Sequence, residues 1–191
     1  MLKPDYSEAK KRDNKEINVK YDSLNIPEDI INIGENKTYF IRTYGCQMNE
    51  HDSETISAML EQLKYTRVYD YEIADVILLN TCAIRENAHD KVFGMIGRIK
   101  HLKETRPNVI AGLCGCMAQE ESVIESILTK YNHLDFIFGT HNINNFYKIF
   151  SYDIIKKDLQ VEVYSSSNDI FESIPVKRDS KYKAWVNIMY G

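Results

Sequence analysis

The stretch DVILLNT, residues 75–81, decides the fold class of this chain. Its large aliphatic residues follow one another without a polar residue between them. Such a run is typical of a strand buried on both faces of a parallel sheet, because a strand with one solvated face alternates apolar and polar residues. A second run of this kind, NVIAGLCG, covers residues 108–115. The two runs predict two strands of one parallel sheet.

Helical patterns alternate with these and other strand-like segments. Residues 51–63 carry an apolar stripe at helical spacing, formed by Ile56, Met59, Leu60 and Leu63. Further helices are predicted over residues 86–104 and 119–131 and from residue 142, and further strands over residues 37–45, 65–70 and 134–140. The alternation predicts an α/β fold: an open, mostly parallel sheet with helices on both faces, of the flavodoxin or Rossmann-like kind.

Three segments are predicted from the change in sequence pattern. Residues 1–36 are polar and weakly periodic, and we expect a polar N-terminal extension there. The alternating domain spans residues 37–157. Residues 158–191 are predicted to be a linker rich in Ser, Asp and Asn that ends in one strand over residues 184–190.

Composition excludes several classes of function. The 191 residues carry a net charge of −4, so no strong basic field for nucleic acid is present. The chain shows no signal-peptide pattern and no apolar run long enough to span a bilayer, so we expect a cytoplasmic protein with no membrane contact. A flavodoxin-like nucleotide-binding domain is a further possibility, but neither GxGxxG nor a P-loop pattern is present.

Three of the four cysteines occupy equivalent positions. Cys46, Cys82 and Cys116 each follow a predicted strand and precede a predicted helix. The carboxyl ends of parallel strands lie along one edge of a sheet, where such folds bind ligands. A free cysteine is commonly just a small buried hydrophobic residue. Scattered core cysteines, however, have no reason to share the same end of every strand, so the pattern predicts convergence of the three thiols.

Three converging thiolates suit either zinc or an iron–sulfur cluster. Helix N-termini behind them would help to keep the thiols deprotonated. His51 could complete a zinc site of three cysteines and one histidine, although we expect a histidine at a helix start to face solvent. Cys114 and Cys116 are two residues apart in LCGC. We favour Cys116 as the ligand and Cys114 as a core residue, and the spacing alone leaves both open.

Three motifs resemble those of a known enzyme family. TYGCQMNEHDSE (residues 43–54), LLNTCAIRENA (residues 78–88) and GLCGCMAQE (residues 112–120) resemble the N-terminal domain of radical-SAM methylthiotransferases. The residues around the first two cysteines are most similar to the branch that modifies isopentenyladenosine next to the anticodon of tRNA. The resemblance covers about residues 37–150.

The resemblance implies that Cys46, Cys82 and Cys116 ligate an auxiliary 4Fe-4S cluster with one open iron, which holds the sulfur or methylthio group for transfer. It also implies a radical-SAM barrel, in which a second 4Fe-4S cluster on a CxxxCxxC motif cleaves S-adenosylmethionine, and a C-terminal tRNA-binding domain of the same chain. This sequence has no CxxxCxxC, and residues 182–191 resemble the first strand of the barrel. We therefore expect a fragment that holds a cluster, binds tRNA weakly and is inactive alone.

Polar residues beside the cysteines are candidates for a supporting role. Asn49, Asn80, Thr81 and Arg85 could donate hydrogen bonds to the cluster or orient the ligand loops. Ordinary capping and turn chemistry is the alternative for these residues. The alternative for the whole chain is a zinc-binding module that uses the three cysteines and has no enzyme activity.

Overall fold

A parallel sheet organises the part of the chain that the computed structural model describes, namely residues 18–20, 26–82, 86–156, 160–162, 169–171, 175–178 and 180–185. The strands of these residues are β1 (Asn18–Lys20), β2 (Thr38–Tyr44), β3 (Thr66–Arg67), β4 (Val76–Thr81), β5 (Ile110–Gly115), β6 (Phe136–Phe138), β7 (Gln160–Glu162) and β8 (Asp169–Phe171). Within them, β2 to β7 form a six-stranded sheet in which every pair is parallel, and β1 pairs with β8 separately.

The order of the strands creates a switch point in the main sheet. The order is β3-β2-β4-β5-β6-β7. The chain therefore moves outward from β2 to β3, returns to β4 on the other side of β2, and then continues in one direction. In open α/β sheets, a ligand crevice forms beyond the carboxyl ends of the strands where the direction reverses. That crevice lies here beyond the ends of β2 and β4.

Helices cover both faces of the sheet, which confirms the predicted fold class. The α-helices of the described residues are α1 (Gln47–Gln62), α2 (Glu86–Thr105), α3 (Glu121–Lys130) and α4 (Phe146–Lys156). Buried residues of α1 and α4 form one core with the sheet, and those of α2 and α3 form a second core on the opposite face. No helix within the described ranges is long and apolar enough to cross a membrane.

The two cores explain why DVILLNT has no polar interruption. Along β4, Leu78 packs in the core beneath α1 and α4, whereas Ile77 and Leu79 pack in the core beneath α2 and α3. Because successive side chains of a strand point to opposite faces, a strand with a core on each side favours apolar residues on both faces, as at residues 76–79.

Ordered structure also lies in the segments that were predicted to be a linker and a polar extension, including the paired strands β1 and β8. The strand β7 falls in the predicted linker, yet it adds an edge to the main sheet through its pairing with β6. Ile30 falls in the predicted extension, yet it is fully buried beneath α1 and α4. A strand of three residues and one apolar residue in a polar stretch give no periodic signal. Of the predicted last strand, residues 184–185 are not in a strand and residues 186–190 lie outside the described residues.

Candidate metal centre

The register of the central strands brings the three cysteine loops to one edge. Tyr44 lies opposite Thr81, and Thr81 lies opposite Gly115. Cys46, Cys82 and Cys116 follow these three residues by two, one and one positions. The loop after β4 is also tied directly to β2, because the backbone N–H of Cys82 donates a 2.9 Å hydrogen bond to the carbonyl of Tyr44. The structure thus places the three thiols around the switch point.

The thiols are close enough to influence one another electrostatically. Burial raises the pKa of Cys116, and the charges of Cys82 and Cys46 raise that pKa further. Like charges disfavour ionisation of a neighbouring thiol, so an effect from both partners means that all three share one electrostatic environment. Cys46 and Cys116 are half-buried, Cys82 is buried, and all three are free thiols.

The chemistry of these donors, three thiols in loops at one edge of the sheet, suits a thiolate-ligated group such as an iron–sulfur cluster or zinc. As the side chains stand in the described part of the chain, no three His, Cys, Asp or Glu side chains are grouped closely enough to hold one metal ion. A zinc ion draws its ligands around one point at bond lengths of about 2.3 Å to sulfur. An iron–sulfur cluster contains several irons and distributes its thiolate ligands around a larger body. An all-sulfur donor set around an open edge is the chemistry that such a cluster uses.

Cys46 occupies the N-cap of α1, and Asn49 holds it there. The side-chain oxygen Oδ1 of Asn49 accepts hydrogen bonds from the backbone N–H of Cys46 at 3.2 Å and from its Sγ at 3.4 Å. This is the return contact of a capping box, in which the third helical residue reaches back to the cap. The N-terminus of α1, with its unpaired backbone N–H groups, therefore lies at this sulfur.

Asn49 also joins α1 to the end of β4. Its Nδ2 donates to Oδ1 of Asn80 at 3.0 Å and to the carbonyl of Thr81 at 3.2 Å. In return, Nδ2 of Asn80 donates to the carbonyl of Asn49 at 2.8 Å and to Oγ of Ser53 at 2.9 Å. Both asparagines are completely buried. The two amides therefore form a closed, buried network between the loops that carry Cys46 and Cys82.

Two glycines allow the loops to lie against this network. A Cβ at Gly45 would overlap Oδ1 of Asn49. Gly115 has a φ of +96°, and a Cβ there would overlap the carbonyl of Thr81 and lie 2.5 Å from Oδ1 of Asn80. The residue before Cys46 and the residue before Cys116 thus both pack on the asparagine pair, and only glycine leaves room for the contact.

Cys114 lies in the core, as predicted. It pairs with Asn80 in the register of the sheet and packs beneath α1 and α4. Burial raises the pKa of Cys114 well above its usual value. This thiol is therefore protonated at neutral pH, and it lies beneath a helical layer rather than in the loop that follows β5.

The remaining candidate residues are His51, Thr81 and Arg85. The expectation that His51 faces solvent is wrong: its side chain is only 18% exposed and lies 3.9 Å from the carboxylate of Asp52. The reason is that α1 begins at Gln47, so His51 belongs to its second turn beside a buried residue. Thr81 is buried, and its Oγ1 has no hydrogen-bond partner among the described residues. Arg85 lies outside the described residues.

Sequence reasoning missed Asp52, a buried carboxylic acid beside the thiols. It is 7% exposed, and its Oδ2 has no hydrogen-bond partner within the described residues. Burial raises the pKa of Asp52, and the charge of Asp52 in turn raises the pKa of both Cys116 and Cys114. A signal was present, because Asp52 precedes Ile56 by four residues and so continues the apolar stripe of α1.

Replacement of Asp52 by asparagine is expected to stabilise the metal-free chain. Because the pKa of Asp52 is raised in the folded state, the native protein favours the protonated acid. The stability associated with that protonated form is lost as the pH rises through the folded pKa. At pH 7, Asp52→Asn should therefore raise the free energy of unfolding by about 1 kcal/mol, the scale of one unpaired buried polar group. Urea unfolding between pH 4 and pH 7 should show the advantage shrinking toward low pH.

The control for this prediction is Glu35→Gln, since Glu35 is an exposed acid. It should change stability by less than about 0.5 kcal/mol at any pH in the range. An Asp52→Asn variant less stable than the wild type at pH 7 would contradict the prediction.

The exposure of the thiols predicts their order of alkylation. In the folded, metal-free chain, iodoacetamide should modify Cys46 and Cys116 first, because these are half-buried while Cys82 and Cys114 are buried. Cys116 should react more slowly than an unhindered thiol, because its pKa is raised and the thiolate is the nucleophile. Peptide mass spectrometry after timed quenching measures the order, and all four should react in concentrated urea. Early labelling of Cys114 would contradict it.

Comparison with known proteins supplies the family. Residues 38–139 match the uncharacterized protein family UPF0004. Over 188 residues, or 98% of this chain, it is 52% identical to the tRNA-2-methylthio-N(6)-dimethylallyladenosine synthase of Oceanobacillus iheyensis. Proteins of the same name from Staphylococcus saprophyticus and Staphylococcus aureus strain JH9 are each 50% identical over the same length.

This chain matches only part of the length of each relative. The chain spans 36% of the length of each of the three. The match to UPF0004, by contrast, runs from the start of β2 past the end of β6 and includes all of the cysteine loops. On this evidence the chain belongs to the family UPF0004.

Proposed function

We propose that this chain is the auxiliary 4Fe-4S-binding, sulfur-donor domain of a tRNA methylthiotransferase. The observation that carries the proposal is the arrangement of three thiols, from three separate strand ends, around the switch point of a parallel sheet. The names of the relatives support the same chemistry, because they describe the introduction of a methylthio group into tRNA. The product would be 2-methylthio-isopentenyladenosine next to the anticodon.

In this proposal, Cys46, Cys82 and Cys116 supply the thiolates that hold the cluster. When bound, a cluster with three protein ligands leaves one iron open, where a sulfur atom can be held for transfer. The chain's own residues provide the setting for that group. Cys46 lies at the N-terminus of α1, and the burial of Cys82 shields that side of the edge from water. The half-buried positions of Cys46 and Cys116 leave the opposite side accessible to a substrate.

The wider reaction requires partners that the relatives suggest. We propose that the complete enzyme acts on tRNA in the cytoplasm. We further propose that it uses S-adenosylmethionine and a second 4Fe-4S cluster in a radical-SAM barrel, together with a C-terminal tRNA-binding domain. With a net charge of −4, the chain is expected to contribute little nucleic-acid affinity by itself. Its part is to hold and present sulfur.

Anaerobic reconstitution tests the proposal. Incubation with ferrous iron, sulfide and a thiol reductant should give a brown protein with about four irons and four sulfides per chain. A parallel incubation with zinc tests the alternative of a zinc module built on the three cysteines. A folded chain with four free thiols that stays colourless with iron, or that binds one zinc ion tightly while rejecting iron, would overturn the proposal.

A further inference from the structure

The three cysteine loops share one point of contact, the buried pair formed by Asn49 and Asn80. Asn49 contacts the loop of Cys46 through its Oδ1, and it contacts the last carbonyl of β4, at Thr81, through its Nδ2. Asn80 lies against Gly115, the residue before Cys116. Each of the three ligand loops is therefore in contact with one or the other amide, and the amides are bonded to each other.

Every side-chain amide group of Asn49 and Asn80 makes at least one hydrogen bond in this network. Asn49 accepts two hydrogen bonds from Cys46 and donates two, and Asn80 donates two and accepts one. Buried amides must keep such partners, since an unpaired one costs about 1–3 kcal/mol. Displacement of the Cys46 loop or of the end of β4 would break at least one of these bonds in a place that water does not reach, and displacement of the Cys116 loop would lose the packing of Gly115 on Asn80. The loops are thus expected to move together or not at all.

We propose that Asn49 and Asn80 are positioning residues that fix the three cysteine loops relative to one another, so that the thiols are arranged for the cluster before it binds. This inference rests on the proposed function, because it assigns the pair a role toward the cluster ligands. Neither asparagine needs to contact the cluster. Their effect passes through the backbone of residues 45–46, 81–82 and 115–116.

Asn49 holds Cys46 at two atoms. Its Oδ1 accepts hydrogen bonds from the backbone N–H of Cys46 and from its Sγ, so this one amide oxygen fixes both the backbone of the loop and the position of the sulfur.

A cycle of variants tests the proposal: Asn49→Ser, Asn80→Ser and the double variant, with Ser53→Ala as the matched control. Ser53 belongs to the same buried network, but among the described residues the hydrogen bonds of its hydroxyl join Asn80 and Thr43 rather than the cysteine loops. Two quantities are measured in each protein. The first is amide hydrogen exchange at Cys46 and Cys82 in the metal-free chain, and the second is the rate at which a chelator removes iron from the reconstituted chain.

We expect both single serine variants to lose iron about tenfold faster than the wild type, the scale seen when supporting residues of a metal site are removed. The double variant should lose iron no faster than the faster of the two single variants, because removal of either amide already removes the connection between the loops. In the metal-free chain, Asn80→Ser should accelerate exchange of the Cys46 amide, although Asn80 does not contact that amide. Ser53→Ala should stay within about twofold of the wild type in both measurements.

The outcomes separate the two proposals. If the wild type holds its cluster and the serine variants release iron no faster than Ser53→Ala, the positioning role is overturned and the proposed function stands. If the wild type takes up no iron, the proposed function is overturned, and the role of the pair toward a cluster is overturned with it. Should a variant fail to fold, the wild type gives a second test. In its metal-free form, the amides of Cys46 and Cys82 should open together and show equal protection from hydrogen exchange, because the pair ties their loops. Unequal protection would overturn the positioning role.

Discussion

Alanine at Cys46, Cys82 or Cys116 is expected to reduce the iron content of the reconstituted chain from about four per chain to below one. Each replacement removes one of three protein ligands, and the two that remain come from separate loops. The cluster would then be held at two irons and exposed at the other two, which makes it labile toward water and oxygen. Iron and sulfide assays, together with the visible spectrum of the anaerobic sample, measure the effect.

The control for this series is Cys114→Ala, which should keep its full iron content. The thiol of Cys114 is protonated because burial raises its pKa, and it lies in the core beneath α1 and α4. Its removal should cost only about 1 kcal/mol of stability, the cost of a small cavity. A protein that loses iron on Cys114→Ala but keeps it on Cys116→Ala would show that the ligand set is wrong.

The position of the thiols could be predicted because it depends on a general property of parallel sheets. Residues 76–79 are apolar throughout, which indicates a strand buried on both faces, and Cys82 follows the end of that strand. The same reasoning applies to Cys46 and Cys116. Once the sheet is parallel, the loops after neighbouring strands must meet at one edge, whatever the details of the helices. The apolar pattern of the strands, and the rule that the carboxyl ends of parallel strands share one edge, were sufficient to predict where the cysteine loops lie.

The asparagine pair could not be located in the same way. Asn49 and Asn80 were candidates only because they are near cysteines in the sequence, and that proximity also fits ordinary capping. Their mutual bond joins residues 31 positions apart. It depends on the register between β2 and β4 and on the exact start of α1, which was predicted four residues too late. Sequence patterns do not determine the register of a strand pair or the start of a helix to a single residue.

The same limit applies to β7 and to Asp52. The strand β7 contains three residues and exists because β6 offers it a free edge, so its origin is tertiary rather than local. Asp52 lies on the apolar stripe of α1, where a carboxylic acid is costly. A polar residue at such a position indicates an unusual environment, and only the folded chain shows that the environment is the thiol edge.

Replacement of Gly115 by alanine is expected to destabilise the chain by at least about 3 kcal/mol. Two causes act together. Gly115 has a φ of +96° and a ψ of −172°, a region that residues with a Cβ rarely adopt. The added Cβ would also overlap the backbone carbonyl of Thr81 and approach Oδ1 of Asn80. Both neighbours are buried in the sheet and cannot move aside.

The matched control is Gly94→Ala, in the middle of α2. Apart from its chain neighbours and the adjoining backbone of α2, no described atom lies within 4 Å of the position that its Cβ would occupy. Because alanine favours the helix more than glycine does, this variant should gain about 0.5–1 kcal/mol. The same chemical change is thus expected to have opposite signs at the two glycines, and urea unfolding of both proteins measures the difference directly.

The Gly115→Ala variant also connects stability with the metal site. The overlap can be relieved only if the start of the Cys116 loop moves away from the asparagine pair. Any molecules that fold should therefore show faster alkylation of Cys116 and lower iron content after reconstitution, whereas Gly94→Ala should match the wild type in both. A Gly115→Ala protein of normal stability and normal iron content would mean that the loop tolerates a Cβ, and the close packing of Gly115 on Asn80 would then have no part in arranging the thiols.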